Sequence, residues 1–396
     1  VTDAWRTLDL FAPTEEHRML AETVWTFVRD EVEPQAAEFN RAERFNLALF
    51  RRAGELGLLG LTVAEDDGGG GLDAVAAVIV HEALSAADPG FALAYLGHTI
   101  LFVNNFARNA NATQRARVLP KVISGEWVGG MCMTEPEAGT DVLGMRTTAV
   151  REGDHYVLNG RKMFITNGAI DDRTLGDVFI VYAKTYDAIS TFLVEKGFPG
   201  FALGQRLHDK LGVRASMTAE LVFDQCIVPL ANLIGREGES AKHMMRNLEI
   251  ERLTLAAMSL GIALRCLEVM VHYANERKAF GVPLREHGQI QRHIAESYAE
   301  FKAARSFTYD VARRLDLRSF GNRVEADGAK LFAARAAKEI ADRAIQVLGG
   351  YGYMGEYVVE RLWRDAKLME IGGGTIEAHQ KNITKDLARA PELIRR

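Results

Sequence analysis

Between Ala241 and Tyr273 the chain carries apolar residues on two helical stripes at once. Met244, Leu248, Leu255, Met258, Ile262 and Cys266 repeat along one side, and Ile250, Leu253, Ala257, Leu260 and Leu264 along a second. A helix apolar on two sides has to be sheathed by other helices, which predicts a bundle built around it. One residue breaks the pattern. Glu251 falls between Leu248 and Leu255, where the period calls for a hydrophobic side chain. A carboxylate there is costly unless it is paired or functional. Burial would raise its pKa toward the range a general base needs. Spacing alone equally allows an ion pair with Arg252 or Arg265, and that reading stands beside the catalytic one.

Helical periodicity also covers Gln289 to Leu315, Glu325 to Leu348 and Ile371 to Leu387. At the other end it runs from a start signal at Thr14-Glu-Glu16 through Leu20, Val24, Phe27 and Val28, again over Leu47 to Leu59 and Leu72 to Leu84, and over the apolar run Phe91 to Ala107. The four glycines Gly68 to Gly71 read as a flexible turn, because no Lys-Ser/Thr follows to make a phosphate loop. From Trp127 to about Ile234 the period changes. Asp154 to Thr166 reads as a hairpin turning at Asn159-Gly160, with a second turn at Asn167-Gly168. Val178 to Ala183, Ser190 to Val194 and Ala219 to Phe223 read as strands. The expected fold class is α+β multidomain: an N-terminal helical domain (1–128), a central antiparallel β domain (129–240) and a C-terminal helical bundle (241–396).

A chain of 396 residues is too long for one typical core, which agrees with three domains. With 48% hydrophobic and 26% charged residues the composition is that of an ordinary globular enzyme. The formal net charge of −5 gives nucleic-acid binding no electrostatic support. No apolar run reads as long enough to cross a bilayer. Cys132, Cys226 and Cys266 are too sparse for a disulfide framework or structural zinc, so no metal is expected. The chain opens on Val1, which leaves open a leader removed ahead of it.

Gly130 to Asp141 is a turn-rich loop with two hydroxyls, Thr134 and Thr140. Pro136 keeps Glu135 out of the helical region, and Gly139 permits a tight turn. Such a loop is either a plain connector or a wrap for a flat ring that needs hydrogen bonds. Met133-Thr-Glu-Pro-Glu-Ala-Gly-Thr-Asp141 resembles the first signature of the acyl-CoA dehydrogenase family, flavoproteins that oxidise acyl-CoA thioesters. Lys162-Met-Phe-Ile-Thr-Asn-Gly168, Glu251-Arg-Leu253, Glu276-Arg-Lys-Ala-Phe-Gly281, Gln346-Val-Leu-Gly-Gly-Tyr-Gly352 and Gly373-Gly-Thr375 match further family motifs in the right order.

The resemblance implies an α–β–α architecture, FAD as cofactor, an acyl-CoA substrate, an electron-transferring flavoprotein as acceptor, and a homotetramer. The compartment would be the mitochondrial matrix in a eukaryote or the cytoplasm in a bacterium. Many relatives place the catalytic base in the C-terminal loop at the position of Gly373, where this chain has none. The isovaleryl-CoA and long-chain types supply it from a Glu-Arg-Leu on the helix, which Glu251-Arg252-Leu253 matches. The implied reaction is α,β-dehydrogenation. Glu251 takes the α-proton, the β-hydride passes to the flavin, and the Gly373 N–H meets the thioester oxygen.

By the same resemblance Met131, Cys132, Met133, Thr134, Phe164, Ile165 and Thr166 surround the flavin. Arg277 meets the FAD phosphate of a neighbouring subunit, and Phe280, Gln346, Gly349, Gly350, Thr375 and Glu377 match further cofactor contacts. Thr140, Glu249, Arg252, Gly373 and Gly374 meet the acyl-CoA. Gly288 stands where the family has Gln, so no contact is carried over there. Gly350 to Gly355 fits a dinucleotide pattern but follows a helix rather than a strand, which rules out that reading. The room beside Gly373 points to a short branched acyl chain such as isovaleryl-CoA; the alternatives are a medium- or long-chain substrate or a non-dehydrogenating flavoprotein of the same fold. Glu251 argues against relatives lacking both bases, the chain length against an acyl-CoA oxidase, and a scaffold protein would carry no flavin.

Overall fold

The computed structural model describes residues 9–318 and 323–395. Val1 and the first residues of the N-terminal domain lie outside them. The helical part begins at α1 (Glu15–Phe27), where the Thr14 hydroxyl accepts from the His17 N–H and caps the first turn. It continues through α2 (Glu33–Ala42), α3 (Leu47–Glu55), α4 (Ala74–Ala87), α5 (Pro89–Leu96), α6 (Asn105–Asn109) and α7 (Ala112–Ile123). A wide π turn, Gly97–Asn104, joins α5 to α6, so the apolar run predicted as one helix is continuous but loosened in its middle. Every residue of α4 is buried.

The β part comprises β1 (Gly129–Cys132), β2 (Thr148–Glu152), β3 (His155–Thr166), β4 (Val178–Thr185), β5 (Ala188–Glu195), β6 (Phe201–Arg206), β7 (Thr218–Pro229) and β8 (Leu233–Ile234). They form one sheet in the order β6-β7-β3-β2-β4-β5-β8, with β1 beside β4. Most pairings are antiparallel, as expected, but β1 and β2 both run parallel to β4.

The predicted turn at Asn159-Gly160 is absent. Both residues lie inside β3, and the hairpin instead turns at Gly153-Asp154 between β2 and β3. Gly160 sits where the pairing of β3 with β7 slips, and a Cβ there would come 2.5 Å from the Thr147 hydroxyl oxygen. Close approach of a neighbouring strand, not a turn, is what requires glycine at this bulge.

The long two-striped run is α8 (Ser240–Glu276), 37 residues without a break. A two-stranded hairpin, β9 (Lys278–Ala279) and β10 (Val282–Pro283), follows it. Then come α9 (Gly288–Arg314), α10 (Arg323–Leu348), α11 (Val358–Met369) and α12 (Ile376–Arg389). Helices α4, α9, α10 and α11 pack around α8. By length and hydropathy α8 is able to span a bilayer, contrary to the sequence reading; 72% of its most apolar window is buried inside the protein, which accounts for that composition. The stretch Ile371–Thr375 is a turn rather than helix, because α12 starts at Ile376 with the Thr375 hydroxyl as its N-cap.

Candidate active site

Glu251 is buried in the middle of α8, and neither Arg252 nor Arg265 pairs with it. Arg252 Nη1 lies 3.0 Å from Asp327 Oδ1, and Arg265 pairs with Glu33 and Glu268. Glu251 Oε2 has no hydrogen-bond partner. Burial pushes the carboxyl up to about 7, against the weaker pull of Arg252 and Lys330 in the other direction. A carboxylate with a free oxygen and a pKa near neutrality is equipped to accept a proton from carbon.

The α11–α12 turn lies against it. A Cβ on Gly373 would come 3.4 Å from Glu251 Oε1 and 2.3 Å from Leu255 Cδ1. Gly373 has φ +65° and Gly374 φ +108°, conformations that favour glycine. Gly373 thus borders the helix carboxylate of this chain, and Leu255 takes up part of the space beside it. Among the described residues neither the Gly373 nor the Gly374 N–H has a protein partner. Two unpaired donors beside a proton-accepting carboxylate can stabilise an oxygen that gains charge as the proton leaves.

The second half of the site is built where β1 and β3 end. The Met163 N–H donates to the Thr134 carbonyl at 2.9 Å and ties the two segments together. Behind Thr134, Glu135 accepts from the Arg146 and Thr147 N–H groups at 2.6 and 3.0 Å and from Lys162 Nζ at 2.9 Å. This buried pair holds the loop. Phe164 has φ +60° at a break in strand pairing and is 65% exposed. Met131 and Met133 are buried, and Thr134 and Thr166 are half-buried. Apolar side chains next to two hydroxyls suit a flat heteroaromatic ring. Cys132 and Ile165 point the other way, into the core of the sheet, so those two residues offer backbone alone.

Not every predicted residue gathers here. Thr140 is exposed on its loop, and Glu249 is buried about 200° around α8 from Glu251. Arg252 Nε lies 3.5 Å from the Gly373 carbonyl, and Thr375 and Glu377 open α12. Arg277 caps the far end of α8, about 39 Å from Glu251 at 1.5 Å per residue. Its guanidinium lies 5.9 Å from the Tyr351 ring, beside exposed Gly349 and Gly350, with Gln346 also exposed nearby. Phe280 is 98% exposed at the tip of the β9–β10 hairpin. The predicted residues therefore form two groups, one around the middle of α8 and one at its C-terminal end.

Sequence reasoning missed Lys330, Asp327 and His379. Lys330 Nζ lies 2.8 Å from the Gly372 carbonyl and 2.6 Å from that of Gly374. His379 Nδ1 lies 2.7 Å from Asp327 Oδ1. The available signal was two charges, Asp327 and Lys330, on the buried face of an alanine-rich helix.

A helical bundle, a mostly antiparallel sheet domain and a buried carboxyl beside two unpaired N–H donors suit removal of a proton next to a carbonyl, and the family matches make the protein an oxidoreductase acting on the CH–CH bond of an acyl-CoA. The family profiles described as acyl-CoA dehydrogenase, N-terminal, middle and C-terminal domain match residues 14–126, 130–226 and 241–388. The chain belongs to the acyl-CoA dehydrogenase family. It is 41% identical to the mitochondrial isovaleryl-CoA dehydrogenase of Oryza sativa subsp. japonica, over 96% of this chain and 92% of that one. It superposes on butyryl-CoA dehydrogenase from Megasphaera elsdenii with a TM-score of 0.90 at 32% identity, covering 95% and 98% of the two chains. An acyl-CoA dehydrogenase from Bacillus anthracis, solved in complex with FAD, gives 0.88 at 32% identity, covering 96% of this chain and 68% of that one.

Proposed function

We propose that this protein oxidises a short branched acyl-CoA, isovaleryl-CoA or a close analogue, to its trans-2-enoyl-CoA, with Glu251 as the general base. The observation that carries the reading is the Glu251 carboxylate itself: buried, with a free oxygen and a pKa of about 7, against the glycine turn that lacks the alternative base. FAD, when bound, supplies the hydride acceptor for the β-carbon. The residues to hold its ring are Met131, Met133, Thr134, Phe164 and Thr166, together with the backbone of Cys132 and Ile165.

Glu251 accepts the α-proton at a carboxylate oxygen. The Gly373 and Gly374 N–H groups receive the thioester oxygen, on which charge builds as that proton leaves. Burial keeps the carboxyl basic enough to act near neutral pH. The room expected beside Gly373 is partly taken by Leu255, whose Cδ1 a Cβ there would meet at 2.3 Å, and the reduced space is read as suiting a compact acyl group. Thr140, Glu249 and Arg252 are assigned to the acyl-CoA, Arg252 either ordering the base or meeting the CoA portion.

Arg277, Phe280, Gln346, Gly349 and Gly350 are assigned to the FAD of a second subunit, because one chain holds them a helix length from its own Glu251. The assembly is assigned as a homotetramer, as is typical of the family, with electrons leaving to an electron-transferring flavoprotein. The compartment is the mitochondrial matrix in a eukaryote or the cytoplasm in a bacterium. The domain limits proposed are 1–128, 129–240 and 241–396. Anaerobic mixing with isovaleryl-, butyryl-, hexanoyl- and palmitoyl-CoA, followed by flavin absorbance, tests the assignment. Fastest bleaching by isovaleryl-CoA is expected, and preference for palmitoyl-CoA would overturn it.

A further inference from the structure

The Gly372–Gly374 turn has no side chains with which to pack itself in place. Two of its three residues have positive φ, and glycine loses the most conformational freedom on ordering. A donor contributes to catalysis only if it is already in position when charge develops. Something outside the turn has to hold it.

The structure shows what does. Lys330 rises from α10 with its side chain fully buried and reaches the carbonyls of Gly372 and Gly374, one on each side of Gly373. The Gly374 carbonyl also lies 2.9 Å from His379 Nε2. His379 is oriented by Asp327, which in turn is held by Arg252. The turn is thus gripped through its carbonyls, while the Gly373 and Gly374 N–H groups have no partner among the described residues. Burial brings the Lys330 ammonium down to about 7, while the Glu251 carboxylate pulls it up, so the two groups sense one another.

We propose that Lys330 is a positioning residue for the reaction: backed by Asp327 and His379, it fixes the glycine turn so that the Gly373 and Gly374 N–H groups stand ready for the thioester oxygen. This rests on the reading above that the turn receives a thioester. A merely structural lysine would affect all CoA ligands alike. A positioning lysine acts on ligands that carry the carbonyl.

The test uses the flavin-loaded enzyme with Lys330→Met, which keeps chain length and removes the donors. Calorimetry compares binding of the enoyl-CoA product, a thioester, with a saturated thioether analogue lacking the carbonyl oxygen. Turnover is measured alongside. Since removing one such donor costs about 10²–10³-fold in rate, misplacing it is expected to lower kcat by about 10–100-fold, with KM for the thioester substrate raised by about tenfold at most. Thioester binding weakens by about tenfold and thioether binding stays within about twofold. Lys330→Gln, which keeps two N–H donors, recovers part of the loss. If Lys330→Met fails to fold, His379→Phe shows the same pattern at smaller size. Wild-type kcat in Lys330→Met, or equal weakening of both ligands, overturns the inference. Glu251→Gln in the same assay keeps the two ideas apart: activity there sinks the proposed base and leaves the binding comparison intact.

Discussion

Replacing Glu251 by Gln removes a charge while keeping the shape of the side chain, and its effect on stability has a sign fixed by burial. The carboxyl rises from 4.5 to about 7 because burial penalises the charged form. At about 1.4 kcal/mol per pH unit, that rise is worth roughly 3 kcal/mol. The folded protein holds this proton more tightly than the unfolded chain does. Below pH 4.5 both states are protonated and the contribution is fully present. Between 4.5 and 7 the unfolded chain loses its proton first, and stability falls as the pH rises. Gln has no proton to lose. Scanning calorimetry of both proteins at pH 5 and pH 8, with matched flavin content, is therefore expected to show similar midpoints at pH 5. At pH 8 the Gln variant melts several degrees higher, given about 2–4 °C per kcal/mol for a domain of this size. An advantage for Gln of the same size at both pH values, or none at pH 8, would refute the reasoning that Glu251 is buried without a partner.

Three further outcomes follow from the same geometry. Gly373→Ala forces a left-handed conformation worth about 1–2 kcal/mol and drives a methyl against Leu255; kcat is expected to fall while FAD is retained, and unchanged kinetics would show that the turn is remote from the reacting atoms. Leu255→Ala opens the space beside Gly373 and is expected to move kcat/KM away from isovaleryl-CoA toward longer straight chains, as read from an acyl-CoA panel. Glu135→Gln strands the buried Lys162 ammonium, which costs about 3–5 kcal/mol when one partner of such a pair is removed; loss of flavin content and a lowered melting temperature are the readouts.

Glu251 is legible in the sequence because a single carboxylate interrupts a long apolar stripe, and periodicity is the most local signal a chain carries. The extent of α8 is legible for the same reason. Lys330 and Asp327 are harder to see: on an alanine-rich helix the buried face is hardly more apolar than the exposed one, so a charge does not stand out. The partners of Lys330 in the glycine turn, and that of Asp327 on α12, are more than forty residues away. Asn159-Gly160 misleads because the local preference of that pair is for a turn. The close approach of Thr147 from the neighbouring strand decides the matter, and no local pattern reports it. The hairpin carrying Phe280 has too few residues for strand periodicity, so resemblance alone marks it.

The central claim is that one buried carboxylate on α8 removes the α-proton. The most direct measurement is single-turnover reduction of flavin-loaded Glu251→Gln by isovaleryl-CoA, with flavin content and enoyl-CoA binding checked to be as in the wild type. A positioned general base contributes about 10²–10⁴-fold, so the predicted rate is lower by at least about a hundredfold. A rate within about threefold of wild type would contradict the account and move the base to another residue.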